Sequence, residues 1–163
     1  MAYNTIKVKK YSDVIEEYEA AAAITPGMLV EATDGAATIQ AHSTSGGNAI
    51  PMFALEDELQ GNGIDDDYAA ADPVQVWIPY RGDIVNALLR DEETITIGEL
   101  LESDGEGRLQ SHVADVGDST VGAIQNAIVG VALEAVDLST LPEGSESSAG
   151  GDYYNPRILI RIV

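Results

Sequence analysis

The chain has 163 residues, 45% of them apolar, enough for one domain with a sizeable core. Its 28 acids against eight Lys and Arg give a net charge of −20, which disfavours nucleic acid along the main body because phosphates would be repelled. With no cysteine, disulfides, zinc–thiolate sites, iron–sulfur clusters and cysteine nucleophiles are excluded, and no run of about 18 apolar residues is present to cross a membrane as a helix.

The chain opens Met-Ala-Tyr-Asn-Thr-Ile-Lys, with no hydrophobic leader, so synthesis and use without a standard export signal are expected. All three lysines (Lys7, Lys9, Lys10) lie in the first ten residues, where there is no acid, and the remaining residues carry −23 once those charges are removed. Ile6 and Val8 alternate with lysine, the pattern of an edge strand or an extended arm. Docking to an acidic neighbour and a solvated terminus account equally well for the separated positive charge. Residues 11–23 read two ways. Alanine and glutamate behind Ser12 favour a short capped helix, while Val14, Ile15 and Tyr18 also fit an extended segment. The boundaries expected are an N-terminal arm over 1–23 and a single β-domain over 24–163.

Residues 24–42 read as a β-hairpin: a short apolar run after Gly27, a tight-turn pair Asp34-Gly35, and a return strand around Ile39-Gln40 ending at His42. Residues 95–112 repeat the pattern with Gly98, Asp104-Gly105, Leu109-Gln110 and His112. The echo continues, since 49–56 (Ala-Ile-Pro-Met-Phe-Ala-Leu-Glu) is answered by 127–134 (Ala-Ile-Val-Gly-Val-Ala-Leu-Glu). The alternating strand from Pro73 is answered by the one from Pro156. Four landmarks in one order predict an internal repeat, 24–80 and 95–163, within one pseudo-two-fold β-domain. Residues 80–90 are expected to join the copies, with a turn at Gly82-Asp83 and a returning strand at 84–89. Residues 42–48, 56–68 and 141–151 read as loops, and 119–126 as a short connection. Helix is scarce, and the fold class expected is all-β.

The candidate chemistry is thin. Asp65, Asp66 and Asp67, with Glu56, Asp57 and Glu58 nearby, supply the hard oxygens calcium prefers, but they lack the alternating spacing of a calcium loop and read as a solvated loop. His42 and His112 are matched, yet neither has a second histidine or cysteine close in sequence, so both read as strand-end histidines and no metal site is expected. Arg81-Gly82-Asp83 spells an adhesion tripeptide, but turn chemistry explains it adequately. There is no Gly-x-Ser-x-Gly elbow and no phosphate-cradling loop, and aromatics to line a sugar site are few. No catalytic residue, cofactor or enzymatic activity is expected. Trp77 shares a strand face with Gln75, opposite Val74, Val76 and Ile78, and either covers an interface or caps the core.

Thr25-Pro26-Gly27-Met28-Leu29-Val30-Glu31, the Asp-Gly pairs, Ala54-Leu55-Glu56, residues 95–102 (Ile-Thr-Ile-Gly-Glu-Leu-Leu-Glu) and Val129-Gly130-Val131-Ala132 together resemble the capsid cement, or head decoration, proteins of tailed bacteriophages. The likeness is to the group with a duplicated β-tulip-like barrel. It covers about 24–138 and the last strand, through structural turns and strands. The resemblance implies a compact β-barrel of two similar halves with an extended N-terminal arm, assembled as a homotrimer on the outer capsid surface of a virion. It implies a structural protein made in the host cytoplasm that stabilises the shell by clamping neighbouring copies of the major capsid protein. Neither nucleic acid nor membrane would be a partner. The arm of such proteins adds a strand to a capsid subunit, which here would fall on Ile6, Lys7, Val8, Lys9, Lys10 and Tyr11. The strong acidity and the Ser/Gly insertion at 144–151 depart from the pattern. The alternative is an extracellular or cell-surface β-module binding a host protein or glycan, with or without calcium.

Overall fold

A computed structural model describes residues 3–11, 13–33, 37–113, 127–140 and 155–163. In chain order its strands are β1 (Lys7–Lys9), β2 (Ile15–Ala20), β3 (Val30–Ala32), β4 (Thr38–Ala41), β5 (Phe53–Ala54), β6 (Pro73–Trp77) and β7 (Ile84–Leu88), followed by β8 (Thr94–Ile95), β9 (Leu100–Ser103), β10 (Leu109–Ser111), β11 (Gly130–Ala132), β12 (Val136–Asp137) and β13 (Arg157–Ile162). No helix occurs among these residues, and the fold is all-β. The turn expected at Asp34-Gly35, the connection 119–126 and the insertion 141–151 lie outside the described residues.

Six strands form one sheet in the order β1-β7-β13-β11-β9-β10, with every neighbouring pair antiparallel. Five form a second, β3-β4-β2-β6-β5, in which only β2 and β4 run parallel. Strands β8 and β12 make a separate pair. The barrel expected from the resemblance is not closed. Single bridges, Leu29 to Phe53 and Leu89 to Leu109, draw the sheet ends together, and strands of two or three residues are too short to extend them into ladders. The result is a β-sandwich-like packing of open sheets.

Strand alternation sorts the apolar residues into two cores. Leu29, Phe53 and Trp77 enter the larger one, with Ile6 and with Val85, Leu101, Leu109, Ile158 and Ile160 of the other sheet. Their strand neighbours Val30, Met52, Ala54 and Val76 point the other way, into a second core with Ile24, Ile39, Tyr68 and Val74. Trp77 thus lies fully buried opposite Phe53 in the larger core, and of the two expectations for it neither an exposed interface nor a cap describes its place.

The two hairpins make corresponding bonds. Thr25–Met28 and Thr96–Glu99 are turns closed by N–H to carbonyl bonds of 3.1 and 3.2 Å, with Gly27 and Gly98 at φ +94° and +89°. Gly27 N–H donates to Ala54 O and Gly98 N–H to Ala132 O; Leu55 N–H donates to Gln75 O and Leu133 N–H to Leu159 O. The last pair shifts the expected match by one residue, so that Asp72, not Pro73, answers to Pro156. The correspondence also reaches strands that the sequence reading placed in the arm and the joining segment. Ala20 N–H donates to Asp72 O as Leu89 N–H does to Pro156 O, and Ala21 N–H to Ile39 O as Arg90 N–H does to Leu109 O. Strand β2 therefore occupies in the first half the place of β7 in the second. The Asp104-Gly105 turn is also wider than a two-residue hairpin: Ser103 pairs with Leu109, and Asp104 carboxylate accepts the N–H groups of Glu106 and Arg108 across the loop.

The matched glycines sit in different surroundings. A Cβ on Gly27 would lie 3.3 Å from both Asn86 O and Ile6 Cδ1, while one on Gly98 would meet nothing within 4 Å. Gly98→Ala is expected to cost only the backbone strain of positive φ, about 1–2 kcal/mol. Gly27→Ala adds overpacking, for a total of about 2–5 kcal/mol. Urea melts of the two variants check the difference.

Candidate interaction surface

Of the two readings of the lysine segment, edge strand and extended arm, β1 takes the edge strand, and the segment expected as an arm is woven into both sheets. Strand β1 pairs with β7, and β2 is the middle strand of the five-stranded sheet, flanked by β4 and β6. Ile6 is fully buried; its N–H reaches both oxygens of Glu56 at 3.3 and 3.2 Å, and its carbonyl accepts from Asn86 N–H at 3.0 Å. Of the six residues expected to dock a capsid, Ile6 belongs to the core, Lys7 and Val8 are half-buried, and Lys9, Lys10 and Tyr11 are exposed. The signal that could have placed β2 is the spacing of Tyr18 and Ala20, both turned toward the second core between exposed glutamates. Lysines on β1 also suit a sheet edge, where charge discourages unwanted pairing with other strands.

The exposed part of this segment is held by one carboxylate. Asp83 is fully buried and accepts the N–H groups of Tyr11 and Tyr80 at 2.6 and 2.7 Å, while its own N–H and carbonyl bond Tyr80 and Ile162. The adhesion tripeptide thus points its aspartate inward. Around this clamp the rings of Tyr11 (69% exposed) and Tyr80 (68%) stand at the surface, with Val14 nearby through the bond from Ile78 N–H to Val14 O. Lys9 Nζ lies 5.4 Å from the centre of the Tyr11 ring, a cation–π distance. Lys10 and Lys7 face Asp13 at 2.5 and 3.7 Å, and the hydrogen bond from Lys10 draws the Asp13 carboxyl below its ordinary range. Asp83→Ala removes the acceptor of two partly buried N–H groups and is expected to cost about 1–3 kcal/mol, read in urea melts.

The acidic loop is spent on structure. Asp65 pairs with Arg157 at 2.7 Å, Asp66 accepts Gly63 N–H at 2.7 Å, and Asp57 accepts Gln60 N–H at 3.3 Å. Arg157 also donates to the carbonyls of Pro26 and Ile64, tying the last strand to the first hairpin. Among the described residues, no three His, Asp or Glu side chains converge as metal ligands. A cavity of about 180 Å³ lies between Thr5, Lys7, Leu55, Glu56, Asp57 and Gln75. Tyr68 behind it donates to Leu55 O at 2.8 Å, and burial together with the Asp57 charge pushes its pKa up to about 12. At neutral pH it is a structural hydrogen-bond donor.

The matched histidines sit in matched triads. Glu31 accepts from Gln40 at 3.0 Å and lies 3.7 Å from His42; Glu102 accepts from Gln110 at 3.2 Å and meets His112 at 2.5 Å. His42 is buried and also crosses to the second hairpin: Nδ1 is 2.8 Å from Ser103 Oγ, and Nε2 is 3.1 Å from Asn48 O. A carbonyl only accepts, so Nε2 carries the proton and Ser103 O–H donates to Nδ1 in the neutral ring. Ser103 is fully buried, which makes this a strut between hairpins and not a presented nucleophile. Burial raises the Glu31 pKa, but hydrogen bonds from Ser43 and Gln40 and the proximity of His42 outweigh it and hold the carboxyl below its ordinary range. A depressed folded pKa contributes stability above the unfolded value, about 4.3, that is lost as pH falls through the folded one. Between about pH 5 and 3 the wild type should therefore lose more melting temperature than Glu31→Gln, in parallel thermal melts.

No protein-family model and no curated protein matches the sequence. The fold is similar to that of a solved structure, the N base of head fiber gp8.5 in bacteriophage phi29, with a TM-score of 0.53 and 12% identity over 93% of this chain and 95% of that one.

Proposed function

We propose that this chain is a structural component of a bacteriophage virion, seated on the outside of the head, where it stabilises the assembled shell by clamping neighbouring major capsid subunits. Two lines support the reading. The turn-and-strand motifs resemble head decoration proteins, and nearly the whole chain shares its fold with the base of a phage head fiber. The observation that carries the docking surface is the patch of Lys9, Lys10, Tyr11 and Tyr80, cationic and aromatic on a chain of net charge −20. Exposed tyrosines on a rigid support are what specific interfaces concentrate, and lysines at their rim steer an acidic partner toward them. The partner that fits is an acidic, groove-bearing face on the shell.

A molecule that binds only the assembled shell stabilises it by mass action, and repeated contacts over an icosahedral surface add through effective concentration. No single contact has to be strong. The head-fiber neighbour favours a second reading on the same surface, an anchor that seats an appendage on the head. The two differ in outcome: loss of a cement weakens the shell to heat, while loss of an anchor leaves the shell intact.

Removing residues 1–18 does not test the patch, because β1, Ile6 and most of β2 would go with it and the sheets would lose a middle strand. Substitutions at the surface do. Purified protein mixed with expanded empty heads of its own phage should co-sediment, and Lys9→Glu with Lys10→Glu, or Tyr80→Ala, should weaken binding at least about tenfold, a loss of about 1.4 kcal/mol. Raising salt should weaken the wild type further. Failure of the wild type to co-sediment, or unchanged binding by these variants, would overturn the proposal.

A further inference from the structure

The two halves meet through a face that the second half repeats and leaves open. In the first half the turn Thr25-Pro26-Gly27 is wholly buried, while its counterpart Thr96-Ile97-Gly98 is wholly exposed. Gly27 O accepts from Leu88 N–H at 3.0 Å, and Gly107 inserts its peptide groups between Leu29 N–H (2.8 Å) and His42 O (3.2 Å). Behind them the row Leu29, Phe53, Trp77 is fully buried. Among the described residues nothing takes Gly107's place between Leu100 N–H and His112 O, although His112 N–H reaches Leu100 O as His42 N–H reaches Leu29 O. The matched row there is Leu100, Val131 and Arg161, partly or fully exposed, and it is bordered by Ile97 (71% exposed) and Val113 (76%).

The complementary face repeats as well. The first half is gripped by β7 around Leu88, by the loop ending at Gly107 and by Arg157. Matched positions in the first half are Glu19, Ala37 and Pro73, all exposed, with Glu17 beside them on the same strand face. One face of the chain is thus apolar with an exposed arginine, and the other is small and acidic.

We propose that copies of this chain associate head to tail, with the face of Ile97, Leu100, Val113 and Arg161 of one copy seated on the face of Glu17, Glu19, Ala37 and Pro73 of the next. The contact repeats between molecules the seam already made within one. Its chemistry is complementary: apolar side chains leave water, and Arg161 meets glutamate. A head-to-tail contact is heterologous, so it closes into a ring where its rotation permits and otherwise propagates. The inference does not depend on capsid binding, and it supplies a surface for the trimer that the resemblance implies.

The native absence of cysteine makes the test direct. Full-length protein in moderate salt, which screens its charge, should sediment as an oligomer. Ile97→Asp should convert it to a monomer that stays folded, with a cooperative melt no longer dependent on protein concentration, the side chain being exposed. Ile97→Cys and Glu19→Cys carried on one chain should oxidise to covalent oligomers, whereas each single variant should not cross-link. A wild type that stays monomeric to millimolar concentration, an oligomer that survives Ile97→Asp, or disulfides between two Ile97→Cys copies would overturn the proposal. So would a monomer whose binding to heads is lost in Ile97→Asp, which would give the face to the capsid.

Discussion

Everything in this molecule hangs from the insertion of second-half backbone into the open end of the first hairpin. Gly107 bridges Leu29 and His42 with two hydrogen bonds, and Leu88 N–H closes on Gly27 O beside it. Only a residue without a side chain fits the bridging position, where φ is +80° and a Cβ would meet Ala41 Cβ at 3.0 Å and Leu29 O at 3.2 Å. The seam roofs Leu29, Phe53 and Trp77, each contributing about 1.5–3 kcal/mol when removed from water. It also explains why the first half contributes to two cores. Strands β5 and β6 meet their own interior on one face, through Ala54, Val74 and Val76, and the second half on the other, through Phe53 and Trp77.

Charge is managed by the same economy. Two of the few cations are committed to structure: Arg108 pairs with Asp104 at 2.8 Å and Glu106 at 2.5 Å inside its loop, and Arg157 anchors the last strand to Asp65 and to the carbonyls of Pro26 and Ile64. Several buried acids likewise accept backbone N–H groups, as Asp83 and Glu56 do. Desolvating a carboxylate is costly unless such donors surround it, so these positions are fixed points of the fold. The acids left over stand on the surface, and against that background the exposed Lys9, Lys10 and Arg161 are local exceptions. Their placement, on two separate faces, is what the functional proposals rest on.

The lysine segment shows how one reading of a sequence turns into another in three dimensions. Ile6 and Val8 between lysines look the same on paper in a free arm and in an edge strand. The deciding partner is Glu56, fifty residues on in sequence, whose buried carboxylate takes the Ile6 N–H and fixes the strand against β7. Once fixed, the segment presents its cations and Tyr11 from a rigid support, and rigidity lowers the entropy cost of binding.

From the residues alone came the all-β class, the glycine turns before each hairpin, the matched Gln and His positions, and the alternation that buries Val74 and Val76. These are local: strand period, positive φ and turn chemistry act within a few residues. What only the tertiary structure decided was which strands are partners. It made β2 the counterpart of β7, moved the Pro73 match by one residue, opened the expected barrel, and turned Trp77 and Asp83 inward. Such choices rest on hydrogen bonds and burial between segments tens of residues apart, and no short window of sequence holds both partners.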